Sequence, residues 1–429
     1  MNLSPEQQEL GRRNFLKAVA GLPALAALGT AAAVKGPVRG GPVRVAFVGL
    51  GVQGRNLLAH VDPAYAHVVS LCDINPAQLT KADEILAQRG LPPAIHHAEW
   101  KEMLERESVE AVVIAAPLWA HAELTVGCLE AGKHVLCEKM MGWDLDACRR
   151  MLSAAAESRR ILEIGYQRFY NPLYQAAYEG VVKAGLLGDV YHSRLVWHRN
   201  GNWRRPGDPP SPDYDASRWG YPTWDHLNNW RLYWRYSKGL MAELGSHVVN
   251  NTNWFFDAHP EAVSGTGGVY RFKDGREVQD HVFVNFEYPG GRTVVFTSIE
   301  SNAWDDYYEL HMGTKGTLLL SAEREAFFFE EGRKAPTGIE IARRGGPVAE
   351  ASGSRAADSA GRSSGSAVTG GAGAVSAYQL EIAGFCASIR TGVPLRGGPD
   401  RAIRSAQACI LANEAIQTRA RVVIPTSVA

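Results

Sequence analysis

The 429-residue chain lacks three features that would each point to a class of protein. It has no net charge, with 45 Lys+Arg against 45 Asp+Glu, and so no overall positive field for a nucleic acid. Its six cysteines are scattered without a CxxC pair, which argues against a disulfide scaffold or a structural zinc site, and we expect no metal. Its most apolar uncharged run, Ala18 to Val34, falls short of the roughly 20 residues of a stable membrane span. The remaining composition, 45% hydrophobic and 21% charged, is typical of a soluble globular protein, and the length predicts two domains.

The start of the chain has the features of a targeting segment. Arg12 and Arg13 precede Phe-Leu-Lys, and an Ala-rich stretch follows that ends in small residues. This order is typical of a secretory signal, and the paired arginines resemble the twin-arginine signal, which the export machinery reads on folded proteins. We therefore expect residues 1–33 to be a signal peptide and the protein to be periplasmic or otherwise extracytoplasmic. Folding before export also agrees with unpaired cysteines. The alternative is an N-terminal helix that happens to contain two arginines.

The next part of the chain alternates apolar strands with helix-period segments. The strands are predicted at Val43–Val48, Val68–Cys72, Ala111–Ala116, Val135–Cys137 and Ile161–Ile164, and the helices at about Pro76–Arg89, Ala120–Ala131 and Leu145–Ser158. Such alternation predicts a doubly wound parallel sheet, a Rossmann-type α/β domain over residues 42–165.

From residue 166 to 429 the pattern changes to an α+β domain with an open, mainly antiparallel sheet and helices. Residues 282–288 alternate apolar and polar side chains, and Pro289-Gly290-Gly291 turns the chain into a second strand, so we predict a hairpin. Residues 345–377 are rich in Gly, Ser and Ala with few large apolar side chains, which predicts a flexible surface loop. Helices at about 378–390 and 401–418 follow it.

A glycine-rich turn follows the first strand. In Gly49-Leu50-Gly51-Val52-Gln53-Gly54, the first glycine permits the tight turn, the second lets the backbone approach a pyrophosphate, and the third allows close helix packing. The helix that opens at Val52 and Gln53 offers free N–H groups to phosphate. Asp73 ends the second strand 19 residues after Gly54, where a carboxylate binds the ribose 2′-hydroxyl and repels a 2′-phosphate. The turn predicts a dinucleotide site that favours NAD over NADP.

Further motifs make the chain resemble the Gfo/Idh/MocA oxidoreductases, the family of glucose-fructose oxidoreductase and inositol dehydrogenase. The matching stretches are Ala116-Pro117-Leu118-Trp119-Ala120-His121, Ala131-Gly132-Lys133-His134-Val135-Leu136-Cys137-Glu138-Lys139, Tyr166-Gln167-Arg168 and Glu243-Leu244-Gly245-Ser246-His247. The resemblance implies a Rossmann domain followed by an open sheet that holds a sugar, cyclitol or related polyol.

The resemblance also assigns roles to single residues. Lys139 matches the lysine that contacts the reacting hydroxyl, although Met140 stands where the family has proline, and His247 matches the acid/base histidine. Independently, alcohol oxidation needs a base, and histidine titrates near the operating pH while a lysine cation favours a developing alkoxide. Glu243 and Asn250 replace family aspartates; Glu243 is spaced i, i+4 from His247, which would put both on one helical face.

The remaining candidates are contacts to the ligands. We expect cofactor contacts from Pro117, His121 and Glu138, and substrate contacts from Tyr166, Arg168 and Trp203. An alternative interpretation of His121 is that it only begins a helix and does not contact the cofactor. Six of the chain's 11 Trp lie between Trp197 and Trp234. These aromatic rings suit stacking on sugars, with Arg204, Arg205 and Asp208 available for hydroxyls; the alternatives are packing of a large insertion or an oligomer interface.

These observations predict an exported, NAD-dependent oxidoreductase acting on the CH–OH group of a carbohydrate, in a homo-oligomer. The neutral composition favours an uncharged polyol as substrate. Because free NAD is scarce outside the cytoplasm, an alternative is a redox-neutral glycosidase or epimerase with tightly bound NAD. Another is a non-catalytic sugar-binding protein that retains the fold.

Overall fold

The computed structural model describes residues 3–20, 40–332 and 375–428 of the chain. The greater part of the expected signal peptide's apolar run and almost all of the Gly/Ser/Ala-rich segment, expected as a loop, lie outside these residues. The six cysteines lie inside them, where each is buried and unpaired.

The first half forms a six-stranded parallel sheet in the order β3-β2-β1-β4-β5-β6. Its strands are β1 (Val43–Val48), β2 (Ala66–Cys72), β3 (Ile95–His97), β4 (Ala111–Ile114), β5 (His134–Glu138) and β6 (Leu162–Gly165). The helices between them are α2 (Val52–Ala59), α3 (Pro76–Gln88), α4 (Trp100–Arg106), α5 (His121–Glu130) and α6 (Leu145–Ser158). The strand order reverses between β1 and β4, the position at which open α/β sheets bind ligands at their carboxyl ends.

The second half forms an eight-stranded sheet in the order β13-β12-β11-β7-β10-β9-β8-β14. Its strands are β7 (Val190–Trp197), β8 (Ala262–Gly268), β9 (His281–Tyr288), β10 (Arg292–Ile299), β11 (Tyr307–Gly313), β12 (Gly316–Ser321), β13 (Glu325–Glu330) and β14 (Val422–Val423). The predicted hairpin is β9–β10. The sheet is antiparallel except for β7 and β10, which pair in parallel. The predicted fold class is therefore confirmed, with one parallel pair in the second sheet.

Helices cover the second sheet and connect it to the first. The helices of this half are α7 (Pro172–Ala177), α8 (Trp224–Asn228), α9 (Ser246–Phe256), α10 (Ala377–Thr391) and α11 (Pro399–Thr418), with π-helical turns at Tyr178–Val182 and Met241–Gly245. The sequence placed α10 in the second domain, whereas Ile382 and Phe385 pack into the core of the parallel sheet. Arg390 at the end of α10 pairs with Glu110 before β4. Thus the chain returns to the nucleotide half after forming the second sheet.

A buried carboxylate connects the start of the second half to its sheet and helices. Glu309 on β11 accepts hydrogen bonds from Arg168 (2.7 Å), which follows β6, and from Tyr174 on α7 (2.7 Å). Its other oxygen accepts from Asn251 on α9 at 2.5 Å. Arg168 also pairs with Glu323 at 2.7 Å. Removing one partner of such a buried pair costs about 3–5 kcal/mol, so this network fixes α9 against the sheet.

The described part of the N-terminal segment is α1 (Pro5–Val19), which packs on the edge strand β13. Phe15 is buried, Gly11 lies against Phe327 and Phe329, and Arg12 pairs with Glu325 at 2.7 Å. The arginine pair thus lies in an ordered helix in this structure. Among the helices of the described ranges, none has the length and apolarity to cross a bilayer.

Candidate active site

The glycine-rich turn adopts the shape that its residues predict. Gly49 has a positive φ of 88°, and a Cβ there would lie 2.7 Å from the main chain of Ala115. At Gly54 a Cβ would lie 1.9 Å from the carbonyl oxygen of Gly49. A Cβ on Gly51 would meet no protein atom within 4 Å, so its neighbouring space is open. Two glycines are therefore required by the protein itself, and Gly51 leaves room for a ligand at the N-terminus of α2.

Asp73 supports this turn from the end of β2. One oxygen of its carboxylate accepts a hydrogen bond from Leu50 N–H at 2.6 Å and the other from Asn75 N–H at 2.7 Å. Burial raises the pKa of Asp73 to about 6, against the opposing effect of these two N–H groups. Arg55 is close enough to interact with its charge. The carboxylate is thus ionised at neutral pH and is held beside the turn.

Glu138 connects the turn to the end of β5. Gln53 on α2 donates a hydrogen bond to Glu138 Oε1 at 2.7 Å, and the backbone N–H of Lys139 bonds to Oε2 at 3.1 Å. Burial raises the pKa of Glu138, and the neighbouring Lys139 cation opposes this. Gln53 and Glu138 were both expected at the cofactor. In the structure they fix the glycine-rich turn relative to Lys139.

His121 has a different place from the one expected. Its ring is buried at the start of α5, with Nδ1 2.9 Å from the carbonyl oxygen of Met140 and Nε2 3.0 Å from that of Ala116. Both ring nitrogens therefore face main-chain carbonyls of the protein rather than a cofactor. This arrangement matches the helix-start alternative and ties the loop around Pro117 to the loop after Lys139, in which the Lys139–Met140 peptide is cis.

Lys139 reaches across to the second half of the chain. Its Nζ donates a hydrogen bond of 2.9 Å to the main-chain oxygen of Glu243, in the π-helical turn that leads into α9. Burial lowers the pKa of Lys139, although Glu243 and Glu138 oppose the shift. The bond brings the end of β5 to within one helical turn of His247.

His247 lies in the first turn of α9 and is 8% exposed. Within the described residues its side chain has no hydrogen-bond partner, and Nδ1 is fully enclosed. The ring lies against Tyr166 and Trp197, with centroid separations of 6.0 and 5.5 Å. Burial and the Lys139 cation lower the pKa of His247 well below its ordinary value, so the imidazole is neutral at pH 7 and able to accept a proton.

The carboxylate of Glu243 does not approach His247, as the i, i+4 spacing had suggested. Because residues 241–245 form a π-helical turn, its Oε2 instead accepts a hydrogen bond from Arg231 Nε at 2.9 Å. Burial opposes ionisation of Glu243, but Arg231 and Lys139 keep its pKa below the ordinary value. Asn250 also faces elsewhere and accepts a hydrogen bond from Ser405.

Of the three expected substrate contacts, Tyr166 and Trp203 remain at the site. Tyr166 lies against His247, and Trp203 is half-buried with Arg199 5.5 Å from its ring. Arg168 is different, since it is buried in the ion pairs with Glu309 and Glu323 and is only 2% exposed. The expectation of a direct substrate contact is therefore replaced by a role in fixing the start of the second domain to its sheet.

The aromatic insertion is the segment between β7 and the π-helical turn at Met241–Gly245, and it packs over the nucleotide half. Trp119 donates a hydrogen bond of 2.8 Å to the hydroxyl of Tyr221, and Tyr214 donates one of 3.0 Å to the carbonyl of Ile74, next to Asp73. Arg204 is paired with Asp225 at 2.7 Å. These contacts match the packing alternative for much of the insertion. Arg199 and Arg231 were not predicted from the sequence, where their only signal is their position among the tryptophans.

A substitution at Gly51 tests the cofactor position. Gly51→Ala fits the apo protein, so we expect the thermal midpoint to remain at the wild-type value while the Cβ weakens NAD binding at least about tenfold, or 1.4 kcal/mol. Fluorescence titration with NAD, after removal of any retained nucleotide, measures this. The matched control is Gly398→Ala, which is also a helix N-cap with open space around it. Equal NAD affinity for the Gly51 variant and the wild type would contradict the assignment.

Comparisons with known proteins agree with this geometry. Residues 43–166 match the family model described as "Oxidoreductase family, NAD-binding Rossmann fold", and residues 176–319 match the GFO/IDH/MocA C-terminal domain. A glycosyl hydrolase family 109 protein of Stenotrophomonas maltophilia is 29% identical over 51% of this chain and 49% of its own length. Inositol 2-dehydrogenase of Rubrobacter xylanophilus is 29% identical over 51% of this chain and 54% of its own. The matches thus span about half of each relative.

A solved structure extends the likeness of fold to most of the chain. The aldose-aldose oxidoreductase of Caulobacter crescentus, complexed with glycerol, superposes with a TM-score of 0.65 at 19% identity and covers 89% of this chain and 99% of its own. The two family matches together cover most of both sheets, from β1 to β12. The chain therefore belongs to the GFO/IDH/MocA oxidoreductase family.

Proposed function

We propose that the protein is an NAD-dependent oxidoreductase that oxidises a CH–OH group of a sugar, cyclitol or related polyol. The observation that carries this proposal is that Lys139, which follows β5 of the parallel sheet, bonds to the turn that leads into α9. There His247 is neutral and has no hydrogen-bond partner among the described residues. The names of relatives support the substrate class, because they include an inositol 2-dehydrogenase and, at the level of fold, an aldose-aldose oxidoreductase.

The residues of the glycine-rich turn fit a dinucleotide. Open space beside Gly51 and the free N–H groups at the start of α2 suit the pyrophosphate. The ionised Asp73 suits a ribose 2′-hydroxyl and repels a 2′-phosphate, which supports NAD over NADP. Equal dissociation constants for NAD and NADP would contradict this preference. When bound, NAD accepts the two electrons and the hydrogen that leave the substrate carbon.

The protein's own groups complete the oxidation. The neutral imidazole of His247 takes the hydroxyl proton as the carbinol becomes a carbonyl, and its low pKa keeps it in the basic form. Lys139 presents a cation to the oxygen on which negative charge develops. Its hydrogen bond to Glu243 O holds the ammonium group in place before substrate arrives. Tyr166 and Trp197 pack against the imidazole, which is 8% exposed.

The directions of these pKa shifts predict the pH dependence of kcat/KM. Activity requires neutral His247, whose lowered pKa means that activity persists as pH falls through 6.5, the ordinary value, and declines only well below it. It also requires charged Lys139, whose lowered pKa means that activity is lost on the alkaline side below 10.5. Initial rates across pH measure both limbs. A loss of kcat/KM that begins at or above pH 6.5 as the pH falls would contradict the role of His247.

A substitution tests Lys139 separately. Lys139→Ala should abolish turnover, because it removes the cation that faces the reacting oxygen.

A redox-neutral reaction is the second candidate. The similarity to a glycosyl hydrolase family 109 protein favours it, as does the scarcity of free NAD outside the cytoplasm. In this case a transient oxidation of the sugar by the same residues precedes cleavage of a glycosidic bond or an epimerisation. The cofactor is then retained and regenerated within each cycle.

Cofactor retention distinguishes the two candidates. We expect the purified protein to retain NAD through gel filtration, since the aromatic insertion contacts the nucleotide half at Trp119 and at Ile74, next to Asp73. Mass spectrometry of the denatured protein detects the nucleotide, and a sugar and polyol screen without added NAD follows. Stoichiometric reduced nicotinamide that accumulates on substrate addition favours the dehydrogenase. Multiple turnovers without added cofactor or a second acceptor favour the redox-neutral enzyme.

We also propose that the protein is exported by the twin-arginine route. The support is the Arg12-Arg13 pair followed by Phe-Leu-Lys and an Ala-rich run. We expect residues 1–40 to carry a folded reporter out of the cytoplasm and a double change of the arginines to lysine to stop it. Cell fractionation measures this. A reporter that stays in the cytoplasm, or leaves it without the arginine pair, would overturn the proposal.

A further inference from the structure

The site contains a cluster of cations that outnumbers its carboxylates. Lys139, Arg199, Arg205 and Arg231 are close enough for their charges to interact around the carboxylate of Glu243. The Glu243 carboxylate accepts a hydrogen bond from Arg231, while the main-chain oxygen of the same residue accepts one from Lys139. Glu138 near Lys139 and Glu300 near Arg199 are the other carboxylates, so four cations face three carboxylates. The whole chain is neutral, so this excess of positive charge is local.

Of the four cations, only Arg231 has a hydrogen-bonded carboxylate, and the guanidinium groups of Arg205 and Arg199 have no hydrogen-bond acceptor of any kind among the described residues. The backbone of Arg205 is held by Asn229 and Asn228, but within the described residues its guanidinium makes neither a hydrogen bond nor an ion pair. Its side chain is half-buried, and Arg231 followed by burial lowers the pKa of Arg205 to about 10. An unpaired guanidinium that is partly desolvated beside other cations is destabilising unless an anion joins it.

Arg199 is the second cation of this kind. Its guanidinium lies over the rings of Trp197 and Trp203, at 5.7 and 5.5 Å, and its buried Nε has no partner in the part of the chain that is described. Glu300 faces Arg199, but its carboxylate bonds to Arg276 at 2.6 Å and burial raises the pKa of Glu300 to about 8. Arg199 is therefore left with an unpartnered buried donor beside the site. Trp197, over which it stacks, also contacts His247.

Other arginines of the same region provide a contrast. Arg204, the neighbour of Arg205, is paired with Asp225 and Asp274, and Arg276 is paired with Asp274 and Glu300. Arg204 and Arg276, which serve packing, are thus neutralised, and Arg231 is paired with Glu243. Arg205 and Arg199 have no such partner among the described residues.

We propose that the substrate carries an anionic group, a carboxylate or a phosphate, which Arg205 and Arg199 bind while its reacting carbinol faces Lys139 and His247. The planar guanidinium presents two parallel donors that match either group. This proposal rests on the proposed oxidation, deepens it to acidic sugars, and replaces the expectation of an uncharged polyol. Arg231 remains with Glu243 and sets the orientation of that carboxylate.

Binding to the full-length protein loaded with NADH tests the proposal without requiring turnover. Isothermal titration calorimetry compares hexoses with their uronates and their 6-phosphates. In at least one series we expect an acidic form to bind about tenfold or more tighter than its neutral parent. A preference for the uronate identifies a carboxylate as the group, and a preference for the phosphate identifies a phosphate. No preference in any series would overturn the proposal.

Variants then assign the preference to the cluster. Arg205→Gln should remove the preference with little effect on folding, because its guanidinium has no partner in the described structure, and Arg205→Lys should restore part of it. Arg235→Gln is the matched control, since Arg235 is exposed in the same insertion. If Arg205→Gln still binds the acidic sugar more tightly than its neutral parent, the assignment to Arg205 is contradicted. It is also contradicted if this variant loses NADH affinity but keeps its preference for the acidic sugar. The proposed oxidation is tested separately, by adding a sugar that binds to the NAD-loaded protein. If no reduced nicotinamide forms, the oxidation fails while the binding result still stands.

Discussion

The hydrogen bond from Lys139 to the main chain of Glu243 is the contact on which the site depends. It joins the end of β5, which Glu138 and Gln53 fix against the glycine-rich turn, to the π-helical turn that starts the helix of His247. Neither half of the chain contains the proposed catalytic pair alone. The site therefore exists only because the two sheets are held in one arrangement. Within the second half, the buried bonds of Glu309 fix the helix of His247 against its sheet.

Desolvation gives the two groups of this pair their chemical states. The same burial and neighbouring charge that keep His247 neutral also leave Lys139 a poorly solvated cation. A neutral base and a cation side by side suit removal of a proton from an oxygen that becomes negatively charged. The arginines around Glu243 extend this positive region and connect the chemistry to the recognition of an acidic group.

The sequence predicted the elements that local patterns determine. Apolar runs, the Gly49–Gly54 turn and the Pro-Gly-Gly hairpin each specify their own conformation, and the structure has them. The features that the sequence did not predict depend on contacts between residues that are far apart in the chain. The return of α10 to the first sheet, the pairing of Arg168 with Glu309 and the two carbonyl contacts of His121 all need the folded chain. The π-helical turn redirected Glu243 for the same reason: the regular i, i+4 spacing assumes an α-helix.

The central claim is that Lys139 and His247 act together on a substrate that reduces NAD. The most direct measurement is a single turnover of the NAD-loaded protein, followed by rapid-mixing absorbance of the reduced nicotinamide. The account predicts that this signal rises at least as fast as product forms, transiently or permanently, in the wild type. It predicts no such signal in Lys139→Met or His247→Ala. Product formation without any reduced nicotinamide, or an unchanged signal in both variants, would contradict it.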